Sequence, residues 1–137
     1  MAGYSGTPLA KKLGIKAGAR VVLVGAPADF AASLEPMPEE ARVLRALRAP
    51  VDVVLLFCAR RADLERGFGR SAAALAPAGG LWVAWPKRSS GVATDLTEAD
   101  VRAYGLDAGL VDNKVCAVDE TWSALRFVIR LRDRVSR

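Results

Sequence analysis

The chain has 137 residues, 52% apolar and 26% charged, which suits one globular domain with its own core and excludes a disordered tail. It contains no histidine, so imidazole acid–base catalysis, Ser-His-Asp and Cys-His arrangements and the commonest metal ligand are excluded. The formal net charge of +5 is modest and spread along the chain, and alone it is weak ground for nucleic-acid binding.

Met1 to Pro8 hold no apolar run of signal-peptide length. The longest apolar stretch, Val53 to Ala59, is too short to span a bilayer, and a cytoplasmic protein is expected. Cys58 and Cys116 stand far apart without a C-x-x-C pair. Each reads as a small core residue in a reducing compartment, and no metal site is expected.

In chain order, Thr7-Pro8 predicts a helix start with Thr as cap, Leu9 and Leu13 share its inner face, and Gly14 stops it. Arg20 to Gly25 predicts a strand buried on both faces, as parallel sheets require. Ala28 to Leu34 predicts a short helix ended by Glu35-Pro36-Met37-Pro38. Residues 39–48 suit helix by propensity or a short strand at Val43-Leu44, and the strand is preferred because the next element is also a strand.

Val51 to Cys58 predicts the central strand. A helix follows from Ala62 to Leu75, with Leu64, Phe68, Ala72 and Leu75 as its buried stripe. Ala76 to Gly80 turns into a strand over Leu81 to Trp85, and Pro86 to Gly91 is a polar loop. Thr97 opens the next helix with Asp100 in the capping-box place and Leu96 and Val101 as a staple, and Gly105 closes it. Lys114 to Val118 predicts a strand, Asp119-Glu120-Thr121 a turn, and Trp122 to Leu131 a long strand. On that strand Leu125, Phe127, Ile129 and Leu131 share one face, and Arg126, Arg130 and Arg132 share the other, where they protect an exposed edge or contact a polyanion. Residues 133–137 are expected to form a loose tail.

Strands alternating with helices imply right-handed crossovers. The expected architecture is a three-layer, Rossmann-like α/β domain over residues 1–137, with a mostly parallel sheet of about six strands and an antiparallel last strand. Leu75-Ala76-Pro77-Ala78-Gly79-Gly80-Leu81-Trp82-Val83 resembles the later half of class I S-adenosylmethionine-dependent methyltransferases, and the closing strand pair is similar too. Those enzymes follow their first strand with a Gly-x-Gly-x-Gly loop. The matching place here reads Gly25-Ala26-Pro27-Ala28-Asp29, and Pro27 removes an N–H that an anion cradle would use. Arg45 stands near the place where the resemblance implies an acidic residue. The resemblance thus implies a methyltransferase-like fold lacking the glycine-rich cofactor loop, and no cofactor is expected.

The whole chain also resembles a small bacterial family catalogued as domain of unknown function 3052. Gly3 to Leu9, Trp85-Pro86-Lys87 and Val111 to Trp122 carry that likeness, which conveys no activity and no catalytic residues.

Ligands of open α/β sheets sit outside the carboxyl ends of the strands. Those ends offer Arg60, Arg61, Trp85, Lys87, Arg88, Asp119 and Glu120, and the closing turn brings Trp122 to the same edge. The sharper expectation is an anion site of Arg61, Lys87 and Arg88 with Trp85 or Trp122 as an apolar face. The plainer one is that these bases are solvated or paired with Asp119 and Glu120. Trp82 and Trp85 have odd separation and must point to opposite faces. The reading that follows is a non-enzymatic module for a small anionic or phosphorylated ligand or a protein partner. A nucleic-acid binder using the basic last strand and tail, and an atypical methyltransferase, are the alternatives.

Overall fold

The computed structural model describes residues 6–135. Its elements are α1 (Leu9–Lys12), β1 (Arg20–Val24), a 3-10 turn (Phe30–Leu34), β2 (Arg42–Leu44), β3 (Val51–Phe57), α2 (Arg61–Ala74), β4 (Leu75–Pro86), a second 3-10 turn (Arg88–Ser90), α3 (Glu98–Asp107), β5 (Leu110–Ala117), β6 (Trp122–Ile129) and α4 (Leu131–Arg134). They build one six-stranded sheet in the order β2-β1-β3-β4-β6-β5. The first four strands are mutually parallel, and β6 runs antiparallel to both β4 and β5.

Two apolar layers sandwich this sheet. On one face α2 and α3 bury Leu64, Phe68 and Val101 against Val54, Leu56, Val83 and Phe127. On the other, α1 and the first 3-10 turn bury Ala10, Phe30 and Leu34 against Val53, Leu55, Phe57 and Trp82. This explains why β3 reads as an unbroken apolar run: both of its faces are covered. Trp82 and Trp85 belong to opposite layers, as their odd spacing requires.

Local signals decide several boundaries. Thr97 Oγ1 accepts the Asp100 N–H at 3.2 Å while Asp100 Oδ2 accepts the Thr97 N–H at 3.0 Å, and Leu96 and Val101 are both buried beside this box. The segment 39–48 contributes the short edge strand β2, paired with Arg20 to Val22. At α1 the Pro8 carbonyl accepts the first helical N–H bonds, so Pro8 rather than Thr7 holds the cap position.

Five expectations need correction. Ala76 to Gly80 is not a turn before the strand, because β4 already opens at Leu75; its pairing skips from Leu75 opposite Val51 to Gly80 opposite Val53. Gly105 does not close α3, which continues to Asp107 and ends before Gly109 at φ +96°. β6 ends at Ile129 rather than Leu131, because Ile129 faces Leu110, the first residue of β5, and no partner lies beyond. Leu131 is accordingly 76% exposed and, with Arg132, Asp133 and Arg134, forms α4 instead of strand or loose tail. Finally, β6 is an inner strand, so Arg126 protects no edge, and Arg130 and Arg132 lie beyond the strand; β2 and β5 are the edges. Residues 136 and 137 of the expected tail lie outside the described residues.

Gly105 is needed for contact. A Cβ there would lie 2.5 Å from Phe127 Cζ, in a ring already held edge-on by Phe68 at a centroid distance of 5.5 Å. Gly69, inside α2, has nothing within 4 Å of that position. Alanine gains about 1 kcal/mol of helix propensity at either site, but overpacking a buried ring costs about 1–3 kcal/mol. Urea denaturation should therefore find Gly105→Ala destabilised and Gly69→Ala stabilised by up to about 1 kcal/mol.

Candidate functional site at the carboxyl edge

The carboxyl ends of β1, β3, β4 and β5 share one edge, and the sheet divides that edge in two. On the α2–α3 side Trp85, only 6% exposed, forms a floor. Beyond it the chain turns through Arg88–Ser90, takes a left-handed step at Gly91 (φ +77°) and runs to the Thr97 cap of α3. Ser90 Oγ donates to the Lys87 carbonyl at 2.7 Å and accepts the Val92 N–H at 3.1 Å, which shapes this loop. Between loop and strand end lies a cleft of about 670 Å³, lined by Trp85, Arg88, Thr94, Asp95, Thr97 and Glu98 among others.

The carboxylates of that lining are engaged. Asp95 Oδ1 accepts the Arg61 backbone N–H at 2.7 Å, fastening the loop to the start of α2. Glu98 pairs with Arg102 at 2.8 Å, and Arg102 also holds Asp112 of β5 at 2.9 Å. These two hydrogen bonds raise the Arg102 pKa. Arg88, by contrast, makes no ion pair or side-chain hydrogen bond among the described residues. It is a free guanidinium beside two satisfied acids.

The other sequence-predicted groups are dispersed. Lys87 Nζ donates to the Asp119 carbonyl at 2.6 Å and its N–H to the Thr121 carbonyl at 2.7 Å, so it ties β4 to the β5–β6 turn. Asp119 Oδ1 accepts the Thr121 and Trp122 N–H groups at 2.8 and 2.9 Å, an Asx turn. Trp122 meets Phe57 edge-on at 5.0 Å on the α1 side of the sheet, away from Trp85. Arg61 reaches Glu65 at 3.3 Å and lies 5.8 Å from the Tyr104 ring centroid, while the Arg60 N–H donates to Asp63 Oδ2. Glu120 is exposed at the turn. Trp85 and Arg88 alone of the expected set line the cleft. Thr94, Asp95, Thr97 and Glu98 were missed, although the α3 cap signal already placed them after the end of β4.

At the end of β1 the space is smaller. Gly25 (φ +70°) leads to Pro27, whose carbonyl accepts the Phe30 N–H at 3.0 Å and starts the 3-10 turn. The recess there measures about 160 Å³ and is lined by Gly25, Asp63, Arg66, Gly67 and Arg70, with Asp63 and Arg66 paired at 2.6 Å. Among the described residues, no three His, Cys, Asp or Glu side chains gather as metal ligands, and no helix is long and apolar enough to cross a membrane.

No protein-family model matches the chain, and no curated protein matches its sequence. Solved structures do match its fold. A S-adenosylmethionine-dependent methyltransferase from Aquifex aeolicus is 16% identical, with 85% of each chain covered and a TM-score of 0.57. The N-methyltransferase NodS from Bradyrhizobium japonicum is 13% identical over 90% of this chain and 98% of that one, at a TM-score of 0.55. The Aeropyrum pernix fibrillarin solved with natively bound S-adenosyl-L-methionine is 18% identical over 92% and 70%, at 0.51. The fold is methyltransferase-like, with the mostly parallel six-stranded sheet and antiparallel β6 expected from the sequence. Of the stretches resembling the small bacterial family, Gly3 to Ser5 lie outside the described residues.

Cys58 directly follows β3 in this region and is fully buried. Burial first, and the Asp63 charge second, push its thiol up to about 12 against the opposing field of Arg66. The unfolded thiol loses its proton near pH 8.5, whereas the folded one keeps it, so folding stability is intact below that pH and falls as pH rises toward 12. Between about pH 9 and pH 11, wild-type stability should fall more steeply than that of Cys58→Ala, by up to about 1.4 kcal/mol per pH unit in chemical denaturation. Parallel slopes would remove Cys58 from this account.

Proposed function

We propose that the protein is a non-enzymatic binding module whose ligand, a small phosphate- or carboxylate-bearing molecule, sits between the end of β4 and the start of α3. The observation that carries this reading is the unpaired Arg88 guanidinium in a cleft of about 670 Å³ whose carboxylates are already engaged. That volume lies in the range of ≈300–1,000 Å³ typical of small-molecule sites, and Arg is suited to bidentate oxyanion contact. Thr94 and Thr97 add hydroxyls, and Trp85 adds an apolar floor.

The methyltransferase-like fold favours a second reading, methyl transfer from S-adenosylmethionine. The residues at the end of β1 do not fit that cofactor. The recess of about 160 Å³ falls below the usual ligand range, its rim carries the Asp63–Arg66 pair, and exposed Arg45 follows β2. Nucleic-acid binding through Arg126, Arg130 and Arg132 finds little support, since Arg126 is half-buried on the sheet and Arg132 lies on α4. Membership of the small bacterial family of unknown function belongs to the same proposal and rests on the residues that resemble it.

Titration calorimetry with nucleoside monophosphates and with S-adenosylmethionine separates the readings. The monophosphates should give saturable heats that Arg88→Ala weakens roughly ten- to hundred-fold, the loss of one charge-assisted hydrogen-bonded partner. S-adenosylmethionine should give a flat titration. A saturable heat with it, or affinity indifferent to Arg88, overturns the proposal.

A further inference from the structure

The α1 face of the sheet holds a second polar groove, built by the register of β6. Arg126 stands opposite Trp82 of β4 and opposite Lys114 of β5, so the three side chains project from one face. The guanidinium lies over the bare backbone of Gly80, where a Cβ would come within 2.8 Å of Arg126 Cζ. Trp82 Nε1 donates to the Leu13 carbonyl at 2.9 Å, which draws the end of α1 over the same strands. The groove between them measures about 140 Å³ and is lined by Lys12, Gly14, Trp82, Asn113, Lys114 and Arg126. Gly14 and Arg126 also line an adjoining recess of about 320 Å³ with Lys16 and Asp52.

The charges here are one-sided. Arg126 has no ion pair among the described residues, and its one side-chain hydrogen bond is a long 3.4 Å contact to Asn113 Oδ1. Burial first, and the neighbouring charge of Arg134 second, pull its pKa down, so the cation is desolvated with no acid answering it. Cys116, on the same face of β5, lies in the positive fields of Lys12, Lys114 and Lys87, although burial outweighs them and raises its pKa. Asp52, the one acid of the recess lining, already accepts the Arg20 N–H at 2.9 Å.

We propose that this groove is a second anion site, taking the phosphate or carboxylate of a compact molecule with Arg126 as its two-pronged partner and Lys12 and Lys114 as point charges. The geometry suits the chemistry, because a guanidinium presents paired N–H groups to two oxygens while ammonium groups neutralise charge without fixed direction. Lys12 Nζ spends one hydrogen bond on the Ala117 carbonyl at 3.0 Å and keeps two donors. This site lies on the opposite side of the sheet from the Arg88 cleft and does not depend on it.

Nuclear magnetic resonance of the full chain tests the assignment, with inorganic phosphate and acetate titrated in parallel. Phosphate should shift the Arg126 side-chain Nε–H and the amides of Gly14, Asn113 and Lys114, and acetate should move the same signals at higher concentration. Arg126→Gln should weaken phosphate binding roughly ten- to hundred-fold. Because Arg126 also packs over Gly80, exposed Lys114→Glu provides a second variant, and it too should weaken binding. Shifts confined to Gly91 to Glu98, no shift at Arg126 with either anion, or affinity unchanged in Lys114→Glu overturns the site.

Discussion

Trp122 to Val128 of β6 pair antiparallel with Pro86 back to Gly80 of β4, and this register determines what each face of the sheet presents. Alternation sends Leu125, Phe127 and Ile129 into the layer of α2 and α3, and Ala124 and Arg126 toward α1. A slip of one residue would exchange the two sets, setting a guanidinium against Phe68 and Gly105 and a phenyl ring among lysines. The pairing also displaces β5 to the sheet edge and brings the β5–β6 turn to the carboxyl end of β4. There Lys87 locks it through the Asp119 and Thr121 carbonyls.

The same packing narrows one potential site and opens another. Gly67 lets α2 approach β3 so closely that a Cβ would meet Leu56 Cδ1 at 2.6 Å. The recess at the end of β1 is pressed between these elements, and the Asp63–Arg66 pair closes its rim. Beyond β4 the spacing is different. Pro86 ends the strand, the capping box fixes where α3 begins, and the intervening residues must arch outward. Asp95 anchors that arch to the Arg61 N–H, so the cleft is held open by hydrogen bonds at its base.

Much of this architecture was legible in the sequence because its signals are local. The apolar runs of β1 and β3, the Thr97–Asp100 box and the opposite facing of Trp82 and Trp85 need only neighbouring residues. What failed was non-local. Gly105 resembles a helix stop until Phe127, from another strand, is known to fill the space beside it. The end of β6 depends on where β5 begins, and its inner position depends on an exchange of strand order that alternation along one chain cannot reveal. The candidate site divided in the same way. Residues at the carboxyl ends were correctly placed in chain order, yet the sheet set Trp85 and Trp122 on opposite sides and turned Lys87 to a backbone carbonyl.

Part of the basic charge is answered by acids on the helical face. Asp63, Glu65, Glu98 and Asp112 pair with arginines of α2 and α3, on exposed or half-exposed surface where such pairs contribute about 0–1 kcal/mol each. Their main effect is to cancel charge on the helical face. Arg88 at one edge and Arg126 on the α1 face are left unpaired by this arrangement. They differ in cost. Arg88 is exposed and keeps its hydration, whereas Arg126 is partly desolvated beside another cation. A half-buried charge without a counter-ion contributes less to folding than an apolar chain of similar length. Its physical advantage appears only when an anion supplies the missing charge, because the fold has already removed much of the water that binding would otherwise displace.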